Sequence, residues 1–244
     1  MIHEIKMPVT PAQKDSHGRL NMSAILYFAQ EAAGKHAAAL GAGWDELQKK
    51  NLFWAVIRTR AEVEDAVCGD EIVLKTWPLP TSRTAYPRCV MGYDRDGTLL
   101  FKLVSLWVLM DVNTRAMVLP GKSGVKVLGA VEGNEPELPK GLPFTEQEQT
   151  CYKTVEQCHL DKNGHMNNTR YLDWVMELAG EKATQNVELC YFNEGRLGDQ
   201  MELSYTLTEE ALSVNIHRTG TDDGAAKDRV FAARLRFSVN QQAH

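Results

Sequence analysis

Apolar residues along the chain switch between two spacings. Over Ile25, Leu26, Phe28, Ala29, Ala32 and Ala33, and again over Tyr171, Leu172, Val175, Met176 and Ala179, they recur at three- and four-residue intervals, as on one buried face of a helix. Each run follows turn-forming Asp, Ser, Asn and Gly residues, which predicts helix starts near 21–23 and 167–169. After the first helix the pattern becomes strand-like in WAVIRTRAEVE from Trp54, EIVLKTW from Glu71, RTAYPRCVMGY from Arg83 and TLLFKLVSLWVLMDV from Thr98, with DRDG as a hairpin turn between the last two. After the second it does so in VELCYFN from Val187, MELSYTL from Met201, ALSVNIHRT from Ala211 and VFAARLRFSV from Val230, with TGTDDGAAK as the last turn. One long helix and four or five mostly antiparallel strands in each half predict an α+β fold, the helix packed on the apolar face of its sheet.

The two halves are copies. DSHGRLNMSAILYFAQEAAGKHA from Asp15 aligns without gaps to DKNGHMNNTRYLDWVMELAGEKA from Asp161, an offset of 146, with eight identities in 23 positions. Each copy then reaches a Gly-Asp pair that opens a strand, Gly69-Asp70 and Gly198-Asp199, at an offset of 129, so the first copy carries 17 extra residues between helix and strand. The period is too long for a solenoid and fits a tandem of small domains. LPGKSGVKVLGAVEGNEPELPKGLPFTEQEQ lacks periodicity and is rich in Pro, Gly and Glu, so it reads as an exposed connection with the boundary between 122 and 148. The expected division is a domain over 1–125, a linker over 126–148 and a domain over 149–244.

Composition narrows the class of function. The 244 residues carry 27 Lys and Arg against 32 Asp and Glu, a formal charge of −5 with the basic residues scattered, which argues against nucleic acid as a partner. MIHEIKMPVT has neither the basic start nor the apolar run of a signal peptide, and the stretch Leu103–Met110 is too short to span a bilayer. A protein that is neither exported nor integral to a membrane is expected, with Leu103–Met110 as a buried strand. Five cysteines, Cys68, Cys89, Cys151, Cys158 and Cys190, form an odd set without a CxxC pair, which argues against a disulfide framework and a zinc site. They are expected to be small buried hydrophobes in a reducing cytoplasm.

The densest polar cluster, Asp161, Asn163, His165, Asn167 and Asn168, lies just before the second helix. In extended backbone, Asp161, Asn163 and His165 would project to one side, and the helix start behind them offers N–H groups to a developing oxyanion. The same residues would also suit a capped turn that only satisfies the backbone. Between the copies, Asp, Gly and the helix-entry Asn are shared, whereas His17 stands for Asn163 and Arg19 for His165. Shared residues read as scaffold and differing ones as function, so Asn163 and His165 are the stronger catalytic candidates and Asp161 is partly structural. Glu194, in YFNEGRLGD at a strand end, is a further candidate general base; its counterpart is Asp65. His3, His36, His217 and His244 read as structural or exposed.

These residues carry a resemblance. LYFAQEAAGKHAAALGAGWDEL, NLFWAVIRTRAEVE, GDEIVLKTW and SLWVLMDVNTRAMVLP in the first half, and LDKNGHMNNTRYLDWVMEL in the second, resemble the acyl-acyl-carrier-protein (acyl-ACP) thioesterases of plants and bacteria over nearly the whole chain. The resemblance implies a tandem double-hotdog fold and hydrolysis of fatty acyl-ACP. Its catalytic Asp, Asn, His and Glu would fall on Asp161, Asn163, His165 and Glu194. Where the plant pattern has Cys after the Glu, this chain has Gly195, which removes a Cys-His mechanism at this site and favours attack by water. A start at MIHEIKMPVT without the plastid-targeting extension of plant members leads to the expectation of a bacterial cytoplasmic enzyme. The first half, having lost the Asn/His pair, would hold the acyl chain through Ala29, Ala32 and Ala33, while N–H groups near Asn167 would bind the thioester carbonyl. The expected partner is acyl carrier protein bearing a fatty acyl chain, with no metal or organic cofactor and with homodimer formation left open. Acyl-CoA hydrolysis and non-catalytic acyl binding are the alternatives; a hotdog dehydratase has no support in the residue pattern.

Overall fold

The computed structural model describes residues 2–161, 164–220 and 228–238. Asn163 and most of the TGTDDGAAK turn therefore lie outside the described residues. The chain forms two compact units, Met1–Pro139 and Lys140–His244.

In the first unit, β1 (His3–Pro8) leads through a short 3-10 turn, Pro11–Gln13, into α1 (Met22–Ala39) and the short α2 (Trp44–Gln48). The strands β2 (Leu52–Val63), β3 (Glu71–Pro78), β4 (Tyr86–Asp94) and β5 (Leu99–Asp111) follow, then the two-residue β6 (Met117–Val118) and α3 (Pro120–Ser123). The sheet order is β1-β3-β4-β5-β2, with β6 on β5, and these pairings are antiparallel. In the second unit, β7 (Gln149–Thr154), the 3-10 turn Gln157–His159, α4 (Asn168–Ala179), β8 (Thr184–Tyr191), β9 (Gln200–Leu207), β10 (Ala211–Thr219) and β11 (Asp228–Phe237) repeat the plan. Its order, β7-β9-β10-β11-β8, is again antiparallel and matches that of the first unit strand for strand.

The repeat is preserved in detail. β1, the first 3-10 turn and the start of α1 all map onto β7, the second 3-10 turn and the start of α4 at the offset of 146 found in the sequence. The Val9 N–H donates to the Asp70 carbonyl at 2.8 Å and the Val155 N–H to the Asp199 carbonyl at 3.0 Å, so each Gly-Asp pair ties the start of a strand to the end of the preceding edge strand. Asn21 and Asn167 cap the two helices, accepting from the Ala24 and Thr169 N–H groups, which relieves part of the unpaired first turn.

Burial follows the apolar spacing. Ile25, Phe28, Ala32 and Ala33 of α1 are buried, and the helix packs on β3 and β4; Tyr171, Leu172 and Val175 of α4 are buried, and that helix packs on β11. Full burial of a side chain of Leu or Phe size stabilises by about 1.5–3 kcal/mol, so these faces fix each helix on its sheet. Leu103–Met110 falls inside β5.

Two expectations are corrected. The Pro/Gly/Glu-rich stretch has no helix or strand between Ser123 and Gln149, yet it is more than an exposed tether. Glu135 accepts from Trp77 Nε1 at 3.0 Å, and Leu142 is buried with Cys190 and Ala232. Packing of a few anchor residues compensates for the missing backbone ladder. Among the cysteines, Cys68, Cys89 and Cys190 are buried, but Cys151 is half-buried and Cys158 is exposed. Cys151 lies on the edge strand β7 and Cys158 in the Gln157–His159 turn.

Candidate functional site

The polar segment before α4 is a closed turn. The Asp161 N–H donates to the His165 carbonyl at 2.8 Å and the Gly164 N–H to the Asp161 carbonyl at 3.1 Å. Gly164 sits at φ +78°, where a side chain would be strained. Asp161 and His165 thus face each other through backbone hydrogen bonds, where an extended strand would have kept them apart. Asp161 turns its Oδ1 back to the His165 N–H at 3.2 Å, so its carboxylate shapes the turn that presents the imidazole.

A second segment meets this turn. The Met166 N–H donates to the Gly195 carbonyl at 2.8 Å and His165 pairs with Arg196, which lays 165–166 alongside the loop after β8. His165 Nε2 comes within 3.4 Å of Glu194 Oε2, with about a quarter of the His165 side chain and 42% of the Glu194 side chain exposed. The two groups are close enough to share a proton through a small movement or one water, and both are accessible to a substrate.

The loop holding Glu194 is braced from beneath. Tyr171, buried in α4 and stacked on Phe231 at 5.2 Å, accepts the Gly195 N–H on its hydroxyl oxygen at 2.8 Å. Burial pushes the Tyr171 hydroxyl well above the usual phenol range, so it stays neutral. Arg218 of β10 donates to the Glu194 carbonyl, to Asp199 at 2.9 Å and to Asp228 at 3.0 Å. Gly195 has a steric reason to lack a side chain: a Cβ there would stand 2.7 Å from the Tyr171 hydroxyl and 3.0 Å from Met201.

Tyr171 and Arg218 were not singled out in the sequence. Tyr171 sits at an apolar helical position and Arg218 near the end of a strand, and both act through contacts more than 20 residues away. The regular alternation of each element gives no sign of such contacts.

The first unit has the same turn with other chemistry. The Asp15 N–H donates to the Arg19 carbonyl, Gly18 takes φ +76°, and Asp15 Oδ1 accepts the His17 and Arg19 N–H groups. Arg19 binds Asp15 at 2.8 Å and Asp65 at 2.9 Å. Arg19 and Asp65 are the sequence counterparts of His165 and Glu194, and they too are paired.

The three alanines expected along the acyl chain are all buried on α1. Ala33 lines a cavity of about 230 Å³ in the first unit, together with Gly34, Ala37, Leu47, Trp54 and Trp107; Ala29 and Ala32 are buried without lining it. Asn167 accepts the Thr169 N–H at 3.0 Å and the Arg170 N–H at 2.9 Å. No acceptor among the described residues meets the Asn168 N–H at the head of α4. No group of three or more His, Cys, Asp or Glu among the described residues is arranged to hold a metal ion, and no helix among them is long and apolar enough to cross a membrane.

Comparison with known proteins places this architecture. Residues 1–119 match the family model of the acyl-ACP thioesterase N-terminal domain and residues 144–232 that of the C-terminal domain. A chloroplastic palmitoyl-acyl carrier protein thioesterase of Gossypium hirsutum is 28% identical over 84% of this chain and 57% of its own length. A chloroplastic dodecanoyl-[acyl-carrier-protein] hydrolase of Cinnamomum camphora is 25% identical over 69% and 48%. The chain thus spans about half the length of these plant relatives. An acyl-ACP thioesterase structure from Bacteroides thetaiotaomicron superposes with a TM-score of 0.82 at 24% identity, covering 97% of this chain and 98% of that one. The 12:0-ACP thioesterase from Umbellularia californica gives 0.76 at 20% identity, covering 97% of each. Two matched domain models in their natural order, on a repeated helix-on-sheet plan, identify a double-hotdog protein that belongs to the acyl-ACP thioesterase family.

Proposed function

We propose that the chain hydrolyses fatty acyl-ACP to free fatty acid and ACP, and that the second unit carries the chemistry. The observation that carries this reading is the approach of His165 Nε2 to Glu194 Oε2 at 3.4 Å, on a turn and a loop that are both braced and both open to solvent. Glu194 takes a proton from water as its oxygen attacks the thioester carbonyl carbon. The carbon–sulfur bond then breaks, and His165 holds the water or delivers a proton to the departing thiolate. The N–H at the head of α4, beside Asn167, receives the carbonyl oxygen as it gains negative charge. Asp161 acts through the His165 backbone, and Asn163 orients Glu194.

The first unit holds the acyl chain. Its cavity is walled mostly by apolar residues, with Ala33 and Ala37 leaving room on α1, so Ala33 is the position of the three alanines at which chain length is set. We place the reaction in the cytoplasm.

The test is a hydrolysis panel of acyl-ACP and acyl-CoA thioesters across chain lengths with the parental protein. Faster turnover of acyl-ACP is the expected result. Faster turnover of acyl-CoA would reassign the donor, and acyl binding without hydrolysis of either would overturn the enzymatic reading.

A further inference from the structure

The first-unit cavity has one charged residue in its wall, Arg88 of β4. Arg88 is only 7% exposed. Its Nη1 lies 3.0 Å from His36 Nδ1 and 3.2 Å from Thr76 Oγ1. The Thr76 hydroxyl donates to the Cys89 carbonyl at 2.8 Å, so it can only accept from Arg88. A guanidinium donates and does not accept; His36 Nδ1 must therefore be the unprotonated nitrogen of a neutral ring. Burial and the adjacent positive charge push the His36 pKa down to about 4, in keeping with that state.

Both partners of Arg88 are thus neutral and both meet the same nitrogen. No carboxylate among the described residues pairs with it, and Nε and Nη2 have no acceptor among them. Burial lowers the Arg88 pKa to about 10, which leaves the group protonated at neutral pH. Two half-buried arginines are treated differently: Arg19 is held by Asp15 and Asp65, and Arg218 by Asp199 and Asp228. A buried charge without a counter-ion is costly. If the side chain served only to fill the wall, methionine would do so without that cost.

We propose that the first-unit cavity binds an apolar chain ending in a carboxylate, with Arg88 as the anchor of that carboxylate. The walls select the chain: Trp54, Trp107, Leu47 and Ala33 offer contact without hydrogen-bonding demand along most of its length. The anchor selects the charge. One guanidinium with free N–H groups matches one carboxylate in a forked pair, whereas a phosphate dianion would leave a negative charge uncompensated among apolar residues. Two sources supply this chemistry, a free fatty acid and an acyl chain that carries a second carboxylate at its far end. The first is independent of the proposed hydrolysis; only the second rests on that reading.

Calorimetric titration of the full chain with octanoate and with 1-octanol, repeated on Arg88→Met and Arg88→Lys, tests the anchor. Octanoate is expected to bind at least about ten-fold more tightly than 1-octanol, as a charge-assisted pair implies. Arg88→Met should remove that difference and Arg88→Lys should keep part of it. The fluorescence of Trp54 and Trp107 reports occupancy of the cavity. In the second arm, an octanoyl thioester bearing an ω-carboxylate is compared with plain octanoyl thioester. A lower KM for the former that disappears in Arg88→Met assigns the anchor to the chain end. Equal binding of octanoate and 1-octanol to the parental protein, together with no KM advantage for the ω-carboxylate, would overturn the proposal, and that comparison stands even if Arg88→Met does not fold. A protein that binds octanoate through Arg88 but hydrolyses nothing would sink the enzymatic reading and leave this one in place.

Discussion

At the same step of the repeat, the first unit sets Arg19 against Asp65 at 2.9 Å and the second sets His165 against Glu194 at 3.4 Å. The turns that present Arg19 and His165 are built alike, each closed by an Asp and a Gly at positive φ. The side chains they present differ in kind. A guanidinium stays charged at every pH the fold meets, so the positive partner of the Arg19–Asp65 pair is fixed. An imidazole can gain and lose a proton near neutrality, which makes the second pair a candidate for moving protons. One scaffold thus presents an ion pair in one unit and, in the proposed function, the reacting groups in the other.

The reverse difference lies after the helices. α1 has 18 residues and α4 has 12, and residues 40–51 separate α1 from β2 where only 180–183 separate α4 from β8. Leu40, Ala42, Gly43, Trp44 and Leu47, all from that longer stretch, line the cavity. The extra residues of the first copy therefore wall a cavity, while the second copy has the His165/Glu194 pair.

The largest test of this contrast is a matched pair of carboxylate deletions. Glu194→Ala should lower acyl-ACP hydrolysis by about 100- to 10,000-fold, as expected for loss of a general base, while Asp65→Ala should stay within a few-fold of the parental rate. Asp65 is largely exposed, so its loss should cost at most about 1 kcal/mol of stability. Comparable rate losses in the two variants would erase the distinction between the units.

The next effect concerns the brace under Glu194. Tyr171→Phe leaves the buried Gly195 N–H without its acceptor, an expected loss of about 1–3 kcal/mol in chemical denaturation, accompanied by slower turnover at unchanged KM. A variant as stable and as fast as the parent would show that Tyr171 does not position the loop. In the cavity, Ala33→Phe should shift the product profile of an acyl-ACP panel towards shorter chains by several-fold. The same substitution at Ala32 should instead strain a filled core and register as lower stability.

The smallest effect is a pH dependence peculiar to the first unit. His36 is buried beside Arg88 and stacked on His3, whereas its counterpart Lys182 lies beyond the end of α4. Its folded pKa of about 4 lies below the ordinary histidine value of 6.5, so the unfolded chain binds this proton first. Its contribution to stability is complete above pH 6.5 and fades as the pH falls towards 4. His36→Gln should flatten that part of a melting-temperature profile, by a few degrees; an unchanged slope would assign the acid loss to other groups.

The repeat was legible because identical residues mark the points where backbone geometry is demanding: Gly18 and Gly164 at positive φ, Asn21 and Asn167 at helix entry, Asp15 and Asp161 closing the turns. Helix starts at Met22 and Asn168 follow from the same signals. His165 and Glu194 could be nominated from their residue types and from the contrast with Arg19 and Asp65. What brings them together is the pairing of 165–166 with 195–196, which no local pattern encodes. Tyr171 and Arg88 were hidden for a related reason. A tyrosine on an apolar helical face and an arginine within a strand look ordinary until the partner across the fold is known.

The most direct measurement is the acyl-ACP hydrolysis rate of His165→Ala beside that of Arg19→Ala, each confirmed as folded by circular dichroism. A loss of at least about 100-fold is expected for His165→Ala and a rate within a few-fold of the parent for Arg19→Ala. A parental rate in His165→Ala, or an equal loss in both, would contradict this expectation.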